Sequence, residues 1–60
     1  MLLWVVKSYL DNEIIDVEYT RATTPREALY ICIGDAADDA ELIAISTWRC
    51  GDTVYTVEEA

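Results

Sequence analysis

The sequence contains no histidine, only two cysteines and only four basic residues among sixty, and each scarcity excludes a class of function. Without histidine the usual general base is missing, and Ser8, Ser46 and Cys50 have no evident activating neighbour. Two cysteines without histidine cannot form a standard structural zinc site. The basic residues are scattered, which disfavours direct binding to nucleic acid. We therefore expect a protein that is not an enzyme and has no cofactor or metal.

Long hydrophobic runs are also missing. No apolar run approaches the roughly 18 residues that a membrane span needs. The apolar start Met1–Val6 meets Lys7 early and has no basic flank before it, unlike a signal peptide. Sixty residues make one compact domain, residues 1–60, near the lower limit at which a single core holds a fold. These features predict a soluble, cytoplasmic protein that does not bind a membrane.

Acidic and hydrophobic residues are what the chain does contain. Twelve acidic residues give a formal net charge of -8, yet 53% of the residues are hydrophobic. Disordered acidic chains are poor in aromatic and β-branched residues, whereas this one has Trp4, Trp48, four tyrosines and many Ile and Val. We therefore expect a folded domain with a negative surface, which basic surfaces attract.

The first twenty residues predict a β-hairpin. Leu2–Leu10 is rich in β-branched, aromatic and aliphatic residues, and turn-formers interrupt it at Asp11–Glu13 before Ile14 restarts the pattern. Apolar and polar side chains alternate in the second strand, with Ile15, Val17 and Tyr19 on one face and Asp16, Glu18 and Thr20 on the other.

A helix start follows the hairpin. Thr24 is a suitable N-cap, Pro25 suits the first helical position, and Glu27 completes a capping box. We expect about nine residues of helix ending at Gly34. Its buried stripe should contain Ala28, Leu29, Cys32 and Ile33, with Tyr30 and Ile31 at the margins.

Two further strands should complete the fold. Asp35–Ala40 is predicted to be an acidic connection with at most one helical turn, the alternative being that the helix continues through it. Leu42–Trp48 is predicted to be a strand that is either central or covered by a partner, because both its faces are apolar. A turn at Arg49–Asp52 then precedes a strand at Thr53–Val57. The order ββαββ predicts an α+β fold, a four-stranded antiparallel sheet with one helix packed on one face. The pairing state of Cys32 and Cys50 stays open.

Eight of the acidic residues lie in two segments that this fold would bring to one rim. Residues two apart in a strand are about 6.6 Å apart on one face, close to the spacing of successive phosphates in a nucleic-acid strand. A solvated surface is the simplest interpretation, and calcium binding fits poorly because the spacing is not that of an EF-hand loop. The third interpretation is a patch that docks on lysines and arginines of a partner. Its candidate partner-binding residues are Asp11, Glu13, Asp16, Glu18, Asp35, Asp38, Asp39 and Glu41.

Small size, strong acidity, an apolar fold and the lack of catalytic residues resemble phage-encoded inhibitors of bacterial defence, in particular anti-CRISPR proteins and other DNA mimics. This resemblance implies an inhibitor that works in the cytoplasm of a host cell. It would occupy the basic nucleic-acid-binding surface of a defence complex, such as the surface of a Cas effector subunit that recognises DNA or its protospacer-adjacent motif.

The alternative is a small structural or regulatory protein-protein interaction module that is acidic only for solubility. Six aromatic residues are more than a core of this size hides, and aromatic residues are favoured at interfaces. Pairing of edge strands would give a homodimer, so that monomer and homodimer both remain open.

Overall fold

The computed structural model describes residues 1–60 as one antiparallel sheet with a helix on one face. The strands follow the order β2-β1-β5-β4-β3 across the sheet. No helix in it is long and apolar enough to cross a membrane. In chain order the elements are β1 (Leu2–Leu10), β2 (Glu13–Ala22), α1 (Pro25–Ile33), a 3₁₀ helix (Gly34–Asp39), β3 (Glu41–Ala44), β4 (Thr47–Cys50) and β5 (Thr53–Glu59).

The prediction of four strands in the order ββαββ is wrong, because the sheet has five strands and the order is ββαβββ. The predicted central strand Leu42–Trp48 is a hairpin, in which Ile45 and Ser46 form a two-residue turn between β3 and β4. Ser46 adopts a positive φ of 49° there, and the Thr47 hydroxyl donates to the Ile45 carbonyl at 2.9 Å. The resulting β3 is an edge strand. The turn contains no glycine, proline, asparagine or aspartate, the residues by which such turns are recognised.

The predicted N-terminal hairpin is confirmed, with Asp11 and Asn12 as its turn. Both residues have positive φ, at 52° and 67°, as a type I′ turn requires. The pairing contains one irregularity: Ser8 lies opposite Asp16, but Tyr9 lies opposite Ile14, so that Ile15 is the extra residue of a β-bulge.

The helix also follows its prediction. It spans nine residues, with Thr24 as N-cap, Pro25 in its first turn and Gly34 as C-cap at a φ of 69°. The Glu27 amide donates to Thr24 Oγ1 at 3.1 Å, and Glu27 Oε1 accepts from the Thr23 amide at 3.0 Å. The connection after it was underestimated, because Gly34–Asp39 forms six residues of 3₁₀ helix, which is two turns and not one.

The core lies between α1 and one face of the sheet, which we call the covered face. The Trp4 indole donates to the Ala22 carbonyl at 2.9 Å, which satisfies its only polar atom. Both cysteines are free and half-buried. Eight buried residues make up the core cluster: Trp4, Val6, Ala22, Ala28, Leu29, Ala37, Trp48 and Val57.

Candidate interaction surfaces

Three carboxylates line the covered-face side of the edge strand β2. Glu13, Asp16 and Glu18 lie opposite Leu10, Ser8 and Val6 of β1, and directly opposed residues share a face of the sheet. All three acidic residues are exposed, although they lie on the face of the sheet that α1 packs against. We call these three residues the acidic row.

The β-bulge is the reason that Glu13 belongs to this row. In a regular strand Glu13 would share a face with Ile15 and Val17, because side chains alternate with a period of two. The extra residue at Ile15 shifts the register by one and places Glu13 on the same face as Asp16. Strict alternation predicted that Asp16 and Glu18 share a face but gave no signal that Glu13 shares it.

The acidic row faces the end of α1 at Cys32. Burial, and after it the negative charges of Glu18 and, to a smaller extent, Asp16, together raise the pKa of the Cys32 thiol from 9.0 to about 11. Glu18 and Cys32 line a shallow recess between β2 and α1, together with Tyr19, Thr20 and Ile31. Cys32 is therefore a poor nucleophile near neutral pH, since the thiolate is the reactive form.

We expect alkylation of Cys32 by iodoacetamide, measured in a Cys50→Ser background, to follow a titration curve centred near pH 11. Replacing Glu18 with Gln should move this midpoint toward 9.0 and speed the reaction at pH 8, whereas Glu13→Gln should leave it unchanged. An equal effect of Glu18→Gln and Glu13→Gln would contradict this electrostatic origin.

The raised pKa of Cys32 also affects stability. Because this pKa is higher in the folded chain than in the unfolded one, ionisation of the thiol lowers the free energy of unfolding as pH rises from 9.0 to 11.

The second predicted acidic segment is largely engaged within the chain. The Tyr30 hydroxyl donates to Asp35 Oδ1 at 3.3 Å, and Asp38 forms a surface ion pair with Arg26 at 3.7 Å. Asp39 is exposed and has no such partner.

Glu41 lies away from the other acidic candidates. It pairs with Arg49 at 3.6 Å and lies opposite it, on the face of the sheet that α1 does not cover. The structure thus does not assemble the eight predicted acids into one rim.

Asp11 lies at the end of the sheet where the turns β1–β2 and β4–β5 meet. It lines a recess with Asn12 and Asp52, and Asp52 is not among the candidates predicted from the sequence. The pairing of Leu10 with Thr53 brings the two turns together. A link between residues this far apart in the chain leaves no local sequence signal.

The second face of the sheet carries no helix, and we call it the open face. Tyr19 and Val17 of β2 are exposed on it, opposite Val5 and Lys7. Ile14 and Ile15, which share the pairing position opposite Tyr9, add to its apolar surface. The alternating pattern of β2 therefore turns its acidic side toward the helix and leaves its apolar side uncovered.

Charge is divided unequally between these surfaces. Three of the four basic residues lie on the open face, namely Lys7, Arg21 and Arg49. The acidic residues of this face are Glu41 and Glu58. The covered face, the helices and the turns hold the other ten acidic residues against Arg26 alone. The negative field of the protein thus comes from the helix side and the turns.

Comparison of the chain with protein-family models, curated proteins and solved structures gave no significant match.

Proposed function

We propose that this protein is a non-enzymatic inhibitor that binds the basic nucleic-acid-binding surface of another protein. The observation that carries this proposal is the segregation of charge, with ten acidic residues and one arginine outside the open face. Such a field attracts clusters of lysine and arginine and repels phosphates. A partner surface built to hold DNA is the natural counterpart of this field.

The acidic row supplies the most regular part of this surface. Asp16 and Glu18 are two residues apart in one strand and on one face, so their Cα atoms lie about 6.6 Å apart. Neither carboxylate has an ion-pair partner within the chain, and both are exposed. On the partner, these two carboxylates would occupy the positions that two successive phosphates of bound DNA occupy. The resemblance to anti-CRISPR proteins makes a Cas effector subunit the first candidate partner.

The test is capture of partners from nuclease-treated bacterial lysate on the immobilised protein, followed by elution with a salt gradient. We expect a nucleic-acid-binding complex that elutes at low salt and that added duplex DNA displaces, because interactions between exposed charges are screened by salt. The control column carries a variant with Asp16→Asn and Glu18→Gln, which should retain far less of the complex. Capture that resists salt and is indifferent to DNA would contradict the proposal.

That contrary outcome would favour a second candidate, a protein-protein interaction module that acts through the open face. The observation in its favour is the exposed apolar surface of β2. Surfaces of this kind bind by burial of apolar area, which salt weakens little.

A further inference from the structure

The open face has the composition of an interface, although nothing in the chain covers it. Tyr19 is 65% exposed, Ile15 56%, Ile14 54% and Val17 43%. Val5, at the centre of this face, is only 8% exposed because its neighbours on β2 and β5 surround it. The face therefore has a packed apolar centre and an exposed apolar margin on the β1–β2 hairpin.

We propose that the open face packs against the open face of a second copy of this chain. The result is a two-fold symmetric dimer in which two sheets form a sandwich, with the β1–β2 hairpins at its centre. This proposal does not depend on the function proposed above, since it uses the opposite side of the sheet.

The size of the face suits a second copy. A standard interface buries about 800 Å² on each partner, which is about a fifth of the 3942 Å² that this chain exposes. The long strands β1 and β2 run about 30 Å and five strands span about 20 Å across, so the outline of the face is at most about 600 Å², at the lower end of specific interfaces. A domain of 60 residues buries only about 60% of the surface that its unfolded chain exposes, and formation of a dimer would increase this buried fraction.

The open face has one pair of opposite charges, Arg21 and Glu58, that can be satisfied between copies. Lys7 and Arg21 are cations without an ion pair in the chain, and Glu58 is an anion without one. Arg21 and Glu58 lie on strands on opposite sides of β1 and form no ion pair within one copy. A two-fold axis along β1 places β2 of each copy over β5 of the other and brings Arg21 near Glu58 of the second copy, while Lys7 of β1 faces Lys7 of the second copy across the axis. The acidic helix sides then point away from each other.

Association through the free edge of β2 is disfavoured by the acidic row. Antiparallel pairing of two β2 strands about Val17 would place Asp16 of one copy opposite Glu18 of the other, twice. Like charges directly opposite each other destabilise a strand pair, and edge strands commonly avoid pairing in this way. Edge pairing of two copies through β2 is thus opposed by charge.

Sedimentation velocity over roughly 1 µM to 1 mM tests the proposal. The wild-type chain should shift from the monomer mass to twice that mass. A variant with Val17→Thr and Tyr19→Thr, which keeps β-forming residues at exposed positions, should dissociate about 100-fold more readily because each substitution occurs twice in the dimer. The matched control, Ile31→Gln with Leu42→Thr, removes exposed apolar groups outside the open face and should leave association unchanged.

Charge reversal supplies an independent readout. Arg21→Glu and Glu58→Arg should each weaken the dimer, and the double variant should restore it, since the pair forms only between copies. A monomer throughout this range would overturn the proposal, as would unchanged association of the Val17→Thr, Tyr19→Thr variant or a double reversal that fails to restore the dimer. Stronger association of Asp16→Asn, Glu18→Gln would also overturn it, because edge pairing predicts that gain. Failure of the chain to bind a partner in competition with DNA would overturn the proposed function but not the dimer, because the two proposals use opposite sides of the sheet.

Discussion

Replacing Leu29 with alanine is expected to leave a substantial fraction of the chain unfolded. Leu29 is fully buried and is among the largest side chains without solvent contact. Removal of a buried leucine side chain costs about 2–5 kcal/mol, because apolar contacts are lost and a cavity remains. A domain of this size has a free energy of unfolding of only about 3–9 kcal/mol. One substitution therefore removes a large part of the total stability.

Urea unfolding followed by fluorescence of Trp4 and Trp48 measures this effect, since both indoles belong to the core. Ile31→Ala is the matched control in the same helix. Ile31 is 54% exposed, and its truncation should cost well under half as much as that of Leu29. Equal losses at the two positions would show that α1 does not pack on the sheet through the Leu29 side.

Reversal of the acidic row should abolish binding to the proposed partner. The variant Asp16→Lys with Glu18→Lys replaces two exposed carboxylates by ammonium groups that a basic surface repels. Loss of two attractive contacts and gain of two repulsive ones should weaken binding by at least about 100-fold at low salt. Affinity for the complex captured from lysate, measured by biolayer interferometry at several salt concentrations, gives the result.

The matched control changes net charge by the same amount outside the acidic row. Asp52→Lys with Glu59→Lys acts in the β4–β5 turn and near the end of β5. It should lower affinity far less, if the arrangement of the carboxylates matters and not only the net charge. Equal losses in the two variants would assign binding to the overall field alone and remove the special role of the acidic row.

Local signals in the sequence were sufficient where one segment determines its own structure. The capping residues Thr24 and Glu27 and the terminator Gly34 gave the bounds of α1, because each makes its contacts within a few residues. The alternating residues of β2 gave the hairpin for the same reason. The turn at Ile45 and Ser46 was missed because it contains none of the stronger turn-formers glycine, proline, asparagine and aspartate, and because pairing with β5 holds β4 in place.

The alternation of apolar and acidic residues along β2 did not predict which of its two sides faces α1. A helix about 10 Å wide covers about two strands of a sheet, so an edge strand can keep an acidic side beside it. The pattern of Val17 and Tyr19 against Asp16 and Glu18 identified two faces but not which one α1 covers. The bulge at Ile15 could not be read from the sequence either, although it decides the face of Glu13.

The position of β5 between β1 and β4 has a consequence for how the protein is made. Without β5, the hairpins β1–β2 and β3–β4 share no hydrogen-bonded edge, and Val57 is missing from the core. Pairing of Trp4 with Glu59 joins residues far apart in the chain, and such long-range pairings are slow to form. During synthesis on a ribosome, the apolar sides of β1 and α1 would therefore stay incompletely buried until the residues of β5 have emerged.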